Sequence, residues 1–234
     1  MTSLVFGGSR GIGGIIVKTL EKRGDKVYVV SRKGSKFANN LKIDLLDENE
    51  ISSKIKKFSS NKKINNIVFS QRYRGENQKD EFQVSVHSVE LVINLLKKKL
   101  AKDSSIVIIS SISTKTILDD QPQSYHLTRS ALEQLVKYSA VKLGKKGVRI
   151  NCVLPTKIIK PENAKFYNKK GKSISNMVKM ITPLNRMGTA SDVANLVDFL
   201  TSKKSTFLTG LSIPVDGGTR LLSQESVINI FKKN

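Results

Sequence analysis

Glycines crowd residues 7–13 of this chain, at a spacing that suits the binding of a phosphate group. A short apolar run precedes them, and apolar residues at helical spacing, from Ile12 to Leu20, follow them. A strand, a glycine turn and a helix start, in that order, leave free N–H groups at the positive end of a helix dipole. Glycine also lets the backbone approach a pyrophosphate closely. The pattern predicts a nucleotide site here, and a simple tight turn is the alternative.

Two arginines indicate which dinucleotide would bind at this turn. Arg10 lies inside the turn, and Arg32 follows Ser31 at the end of the second predicted strand, with Lys33 next. An acidic residue at that strand end holds the ribose of NAD, whereas a basic residue accommodates the 2′-phosphate of NADP. The sequence therefore favours NADP(H) as the cofactor. Ordinary surface charge is the alternative interpretation in so basic a chain.

Strand-like and helical patterns alternate along the chain and must position these residues. Apolar strand-like runs occur at residues 3–6, 26–30, 41–43, 66–69, 106–110, 149–154 and 211–215. Helical patterns occur at residues 13–23, 48–58, 81–102, 124–143 and 192–200. Such alternation is typical of a parallel sheet covered on both faces. We expect an α/β fold in three α/β/α layers, a doubly wound, parallel, seven-stranded sheet (Rossmann fold) forming one domain over residues 1–234.

The longest segment without a clear pattern covers residues 157–187 and is polar and rich in lysine. It follows the carboxyl end of a predicted strand, which is where ligands bind in such sheets. Long irregular segments of compact domains are usually lids or disordered. We expect a substrate lid that becomes ordered on ligand binding. Its lysines would favour a substrate that carries phosphate or carboxylate groups.

The net charge of the 234-residue chain is +22, from 41 Lys and Arg against 19 Asp and Glu. Such a field attracts anions, including nucleic acid. The lysines are spread along the whole chain without interleaved aromatic residues, so a solvated surface is the favoured interpretation and a specific polyanion partner the alternative. Specific binding of nucleic acid is therefore not expected.

Several other features limit the possible classes of protein. No apolar run approaches the ~18 residues of a membrane span, so no membrane association is expected. The single cysteine, Cys152, excludes an internal disulfide framework and fits a reducing compartment, which predicts a cytoplasmic protein. His87 and His126 are isolated from each other and from acidic clusters, so no metal site is predicted.

Several motifs, in the same order, resemble those of the short-chain dehydrogenase/reductase family over nearly the whole chain. The glycine turn resembles the family's cofactor fingerprint, and Asp44 with Leu45 resembles its adenine-contacting pair. Residues 106–111 resemble the strand that ends in the catalytic serine, and Tyr125 fits the catalytic tyrosine. Residues 151–155 resemble the strand before the nicotinamide loop. Residues 186–218 carry the most similar motifs. Within the family, the chain resembles members like the 3-ketoacyl reductases, with a divergent active site.

The resemblance implies an NADPH-dependent oxidoreductase that reduces a carbonyl to an alcohol. Tyr125 would give its proton to the carbonyl oxygen, Ser111 would hydrogen-bond that oxygen, and the charge of Arg129 would favour the tyrosinate. The implied cofactor contacts are Gly7, Ser9, Arg10, Gly11, Ile12, Gly13, Ser31, Arg32, Asp44, Leu45, Tyr125, Arg129, Pro155 and Ile158.

This chain departs from the family pattern at four places. Arg129 stands where the family has lysine, and arginine supplies charge but cannot lose a proton in a relay. Residues 69–72 replace a run of small residues, Ser85 is the best match to the family's asparagine, and Lys160 replaces a threonine. These departures support an alternative function, a catalytically weakened member that binds NADP(H) as a sensor or partner protein.

The substrate and the assembly remain open at the level of sequence. The substrate would be a small ketone or keto-sugar, or a 3-ketoacyl group on an acidic acyl carrier protein that the positive charge attracts. Members of the family commonly pair through the two long helices, predicted here at residues 81–102 and 124–143. We therefore expect a homodimer or a homotetramer.

Overall fold

The computed structural model describes residues 1–37 and 39–232, which form a parallel sheet of seven strands. The strands are β1 (Thr2–Phe6), β2 (Lys26–Ser31), β3 (Asn40–Lys42), β4 (Ile64–Phe69), β5 (Leu100–Ile109), β6 (Arg149–Pro155) and β9 (Ser212–Val215). Their order is β3-β2-β1-β4-β5-β6-β9. Successive strands are added on one side of β1 as far as β3 and on its other side from β4 onwards. Two short strands, β7 (Ile158–Ile159) and β8 (Gly188–Thr189), pair separately. The predicted doubly wound fold is confirmed.

Helices cover both faces of the sheet. They are α1 (Gly11–Lys22), α2 (Glu48–Ser59), α3 (Gln78–Phe82), α4 (Ser88–Leu96), α5 (Gln123–Gly144), α6 (Ala164–Asn168), α7 (Lys172–Met180), α8 (Ala190–Leu200) and α9 (Gln224–Lys232). Alternate residues of β1 face opposite sides, so Val5 packs with α1 and α8, whereas Leu4 and Phe6 pack in the core formed with α2, α4 and α5. No described helix has the length and apolar content needed to span a membrane.

The structure corrects two predicted segments. The helix expected at residues 81–102 begins earlier, at Gln78, passes through a π-helical turn at Gln83–His87 and ends at Leu96. Residues 100–102 instead begin β5, because Leu100 pairs with Ile64 at the edge of β4. The lid segment, expected to be irregular, contains β7, α6 and α7. Lysine is a good helix former, but a segment with few apolar residues gives no periodic signal.

The glycine turn between β1 and α1 is packed too tightly for side chains at two positions. Gly7 has φ +71°, and a Cβ atom there would lie 2.6 Å from the Cα atom of Gln71. A Cβ atom on Gly13 would lie 2.3 Å from the carbonyl oxygen of Gly7. The turn therefore lies directly against the chain that leaves β4, and the start of α1 is held at the edge of the sheet.

Replacing Gly13 with alanine should destabilise the protein because the backbone must move to admit the new methyl group. We expect Gly13→Ala to lower the free energy of unfolding by about 1–3 kcal/mol. The matched control is Gly144→Ala at the end of α5, where nothing lies within 4 Å of the new Cβ atom. Urea denaturation measures both variants, and equal stability of Gly13→Ala and the wild type would contradict the packing described here.

Candidate active site

A cavity of about 930 Å³ opens at the carboxyl ends of β1, β2, β4, β5 and β6. Ligands bind at this edge in doubly wound sheets. The cavity brings together every residue that the sequence analysis assigned to a site. Its lining includes the three catalytic candidates Ser111, Tyr125 and Arg129, and the cofactor candidates Gly7, Ser9, Arg10, Gly11, Ile12, Gly13, Ser31, Arg32, Asp44, Leu45, Pro155 and Ile158.

One end of the cavity offers donors and positive charge to an anion. Helix α1 starts at Gly11 without a side-chain cap and without an acidic residue in its first turn, so its first N–H groups are free to bind a ligand. Arg10 precedes this helix, and Arg32 and Lys33 line the cavity after β2. The hydroxyl of Ser31 is buried and has no partner among the described residues. These groups fit a nucleotide that carries phosphates.

A carboxylate from the lid lies above the glycine turn. The Oε1 atom of Glu162 is 2.9 Å from the position that a Cβ atom on Gly11 would take. The side chain of Lys160 reaches the same place, and Glu162 acts on the charges of both Lys160 and Arg74. An anion is therefore already placed where the turn leaves room for one. The sequence analysis did not single out Glu162, because an acid within a basic lid carries no motif.

The two residues implied as the proton donor and its partner come from neighbouring elements. Ser111 follows β5, is buried, and its Oγ atom accepts a hydrogen bond of 3.1 Å from the N–H of Ser113. Tyr125 lies in the first turn of α5 and is half-buried. Two guanidinium groups lie over its ring, Arg129 with its Cζ atom 4.7 Å from the ring centre and Arg72 at 5.1 Å. Cations over an aromatic face are attracted by the ring quadrupole.

Arg129 forms an ion pair with Glu81, a residue that was not predicted from the sequence to belong to the site. Its Nη2 atom lies 3.1 Å from the Oε1 atom of Glu81 and 3.1 Å from the Oγ atom of Ser85. Both side chains of the ion pair are buried, with 4% and 6% of their surface exposed. Ser85 also donates to Glu81 at 2.7 Å. The spacing of one helical turn between Glu81 and Ser85 is the signal that could have indicated this cluster.

This cluster determines what Arg129 can offer to a ligand. Glu81 compensates the charge of Arg129. The Nε–H group of Arg129 is buried without a partner among the described residues. Ser85 lies in the π-helical turn between α3 and α4, a distortion that is frequent at functional sites. The best sequence match to the family's asparagine therefore lies beside Arg129, although here it contacts the guanidinium directly. Arg129 lines the cavity, and its Nε–H group keeps a hydrogen-bonding capacity that no described residue uses.

The lid contributes fewer charges to the cavity than its composition predicts. Lys157 and Lys160 line it, and Lys157 lies 4.0 Å from Asp120. The other lysines of residues 157–187 are absent from its lining within the described chain; these are Lys165, Lys169, Lys170, Lys172 and Lys179. Partial burial, followed by repulsion from Arg72, lowers the pKa of Lys160.

Two further kinds of chemistry have no support in the described residues. Cys152 is fully buried in β6, and burial raises the pKa of its thiol to about 12, so little thiolate exists at neutral pH. No group of His, Cys, Asp and Glu side chains within residues 1–37 and 39–232 is arranged to hold a metal ion.

The fold and the position of the cavity define a doubly wound α/β protein of the Rossmann type. A family model described as enoyl-(acyl carrier protein) reductase matches residues 62–220. A tropinone reductase homologue of Arabidopsis thaliana is 32% identical over 93% of this chain and 91% of its own length. The chain belongs to the short-chain dehydrogenase/reductase family of oxidoreductases, and the resemblance predicted from its motifs is confirmed.

Solved structures give the same result. A short-chain dehydrogenase family protein from Francisella tularensis is 27% identical, with a TM-score of 0.82, over 94% of this chain and 99% of that chain. The protein BdcA, solved in complex with NADPH, is 22% identical with a TM-score of 0.78 over 92% of this chain and 93% of its own. At 22% identity, this similarity shows that BdcA and this chain share a fold.

The buried pair of Arg129 and Glu81 should be strongly coupled in stability. Removing one partner leaves an uncompensated buried charge, so we expect Glu81→Leu or Arg129→Met alone to cost about 3–5 kcal/mol. The double variant should lose clearly less than the sum of the two single variants. Urea denaturation of the four proteins measures the coupling, with Lys54→Met of the exposed Glu50–Lys54 pair as a control that changes little. Additive losses would contradict a direct ion pair.

Proposed function

We propose that this protein is an NADPH-dependent reductase that converts a carbonyl group to an alcohol. The observation that carries the proposal is the shared cavity. Arg10 and Arg32, at the glycine turn and after β2, line the same cavity as Ser111 and Tyr125, which follow β5. A dinucleotide that lies along this cavity would bring its nicotinamide to the serine and the tyrosine.

The charge of the cavity supports NADP(H) over NAD(H). Its lining holds eight arginine and lysine side chains against four aspartate and glutamate side chains. NADPH carries about four negative charges, about two on its pyrophosphate and up to about two on the 2′-phosphate. The excess of positive charge in the lining thus matches the phosphorylated cofactor better than NADH. BdcA, which has the same fold, was solved with NADPH.

The residues of the chain supply proton transfer and orientation in this proposal. The bound cofactor would supply the hydride. Ser111 hydrogen-bonds the carbonyl oxygen of the substrate, and Tyr125 donates its hydroxyl proton to that oxygen as negative charge develops there. The Nε–H of Arg129 is available to a ribose hydroxyl. Because a guanidinium does not release a proton, Tyr125 regains its proton from water in the cavity rather than through Arg129.

The alternative function, a family member that binds NADP(H) without turnover, draws on the pairing of Arg129 with Glu81. That pairing turns one edge of the guanidinium towards α3, away from the cavity. The presence of both Ser111 and Tyr125 in the cavity favours the reductase.

NADPH should bind at least about tenfold more tightly than NADH, because a charged hydrogen bond contributes about 1.5–3 kcal/mol. Arg32→Asp should remove most of this preference. The matched control is Lys36→Asp in the same loop, since Lys36 does not line the cavity. Fluorescence titration of each protein with both reduced cofactors measures the effect. Equal affinities in the wild type, or an unchanged preference in Arg32→Asp, would exclude NADP specificity.

Tyr125→Phe should abolish carbonyl reduction because it removes the proton donor, and it should leave the Kd for NADPH nearly unchanged. Arg129→Lys should keep or raise activity, since lysine supplies the same charge. Tyr138→Phe is the control, because Tyr138 lies exposed on the same helix. Steady-state rates on a panel of ketones measure these effects. Turnover by Tyr125→Phe close to the wild-type rate would show that the mechanism is wrong.

We propose further that the protein is a homo-oligomer and that it is located in the cytoplasm. Helix α5 exposes Leu127, Tyr138 and Val141, whose side chains face away from the sheet. Exposed apolar residues in such a stripe suit contact with a second copy. We expect a dimer or tetramer in analytical sedimentation at micromolar concentration, and dissociation to the 26.0 kDa monomer in Val141→Lys. A wild type that sediments only as a monomer would contradict this expectation.

A further inference from the structure

Arg72 lies beside Tyr125, the candidate proton donor. Its positive charge has no acidic partner among the described residues. The tight contact of Gln71 with Gly7 fixes the chain immediately before Arg72. Its Nη2 atom donates to the neutral Oε1 atom of Gln121 at 2.6 Å, and it pairs with no acid in the described parts of the chain. Its Cζ atom lies 5.1 Å from the ring centre of Tyr125. Arg129, the other cation at this ring, is compensated by Glu81.

Arg72 belongs to a group of cations in the cavity and repels two of them, Arg74 and Lys160. Arg10, Arg74 and Lys160 line the same cavity, and Glu162 is the acid that acts on this group. Partial burial, followed by repulsion from Arg10 and Arg72, lowers the pKa of Arg74. Cations that repel one another in a cleft are destabilising unless an anion joins them, so their arrangement indicates a ligand.

The positions of Arg10 and Arg72 indicate which anion each would bind, the cofactor's pyrophosphate or a charged group of the substrate. Arg10 precedes the start of α1, where the cofactor's pyrophosphate would lie, and Glu162 lies beside Gly11 at the same turn. Arg72 lies over the ring of Tyr125, whose hydroxyl would meet the carbonyl oxygen of the substrate. A group that pairs with Arg72 would therefore be close to the reacting carbonyl.

We propose that the substrate is an anionic carbonyl compound, with a carboxylate or phosphate close to the carbonyl group, and that Arg72 is the residue that binds this anion. The proposal rests on the reductase function proposed above and names its substrate class. The guanidinium offers two parallel N–H groups to a carboxylate or a phosphate, and an anion that binds them would compete with Gln121 for the guanidinium.

The test compares matched pairs of anionic and neutral substrates. The pairs are acetoacetate with ethyl acetoacetate, and dihydroxyacetone phosphate with dihydroxyacetone. We expect kcat/KM of the wild type with NADPH to be about tenfold or more higher for the anionic member of at least one pair. Arg72→Gln should bring this ratio close to one, and Arg72→Lys should restore part of it. Lys165→Gln, which removes a lid charge outside the cavity, should leave the ratio unchanged.

Binding measurements separate this proposal from its alternatives. Calorimetry of malonate with the NADPH complex should show binding that Arg72→Gln weakens by about tenfold and Lys165→Gln does not. If malonate binds, Arg72→Gln weakens this binding and no ketone is turned over, the anion site is supported and only the proposed reductase function is contradicted. A ratio near one in the wild type would overturn the proposal. A loss of NADPH affinity in Arg72→Gln with an unchanged ratio would also overturn it, because Arg72 would then bind the cofactor.

Discussion

The close packing of the glycine turn against the chain leaving β4 is the constraint on which the cavity depends. Neither Gly7 nor Gly13 has room for a side chain, so β1, α1 and the end of β4 meet backbone to backbone. This contact holds the free N–H groups of α1 at the edge of the sheet. It also fixes Gln71, so the next residue, Arg72, enters the cavity beside Tyr125. The start of α1 and Arg72 are thus positioned by the same packing.

The buried ion pair with Glu81 accounts for a guanidinium at residue 129, beside the ring of Tyr125. A guanidinium needs more partners than an ammonium, and burying it without an acid would be costly. Glu81 and Ser85 supply those partners from α3 and the π-helical turn that follows it. The arginine keeps a charge near Tyr125, and its Nε–H group has no partner among the described residues. Arg129 and Glu81 therefore form one buried ion pair that joins two elements.

Sequence reasoning predicted the parts of this protein that carry regular patterns. Alternating apolar runs gave the seven-stranded sheet, and motif order gave the family and the residues that line the cavity. Glu81 could not be found in this way, because its role depends on a contact with Arg129 across 48 residues. Glu162 and the helices of the lid were missed for a related reason. A polar segment has no hydrophobic period, and the place of its charges depends on tertiary packing.

The most direct test of the account is the transfer of hydrogen from the cofactor to a carbonyl carbon. The protein is incubated with NADPH that carries deuterium at the reactive position of its nicotinamide, together with the ketone panel, and the products are analysed by mass spectrometry. The account predicts an alcohol with deuterium on its carbinol carbon, and no such product from Tyr125→Phe. Cofactor that binds without any deuterated alcohol being formed would contradict the proposal that this protein reduces carbonyl groups.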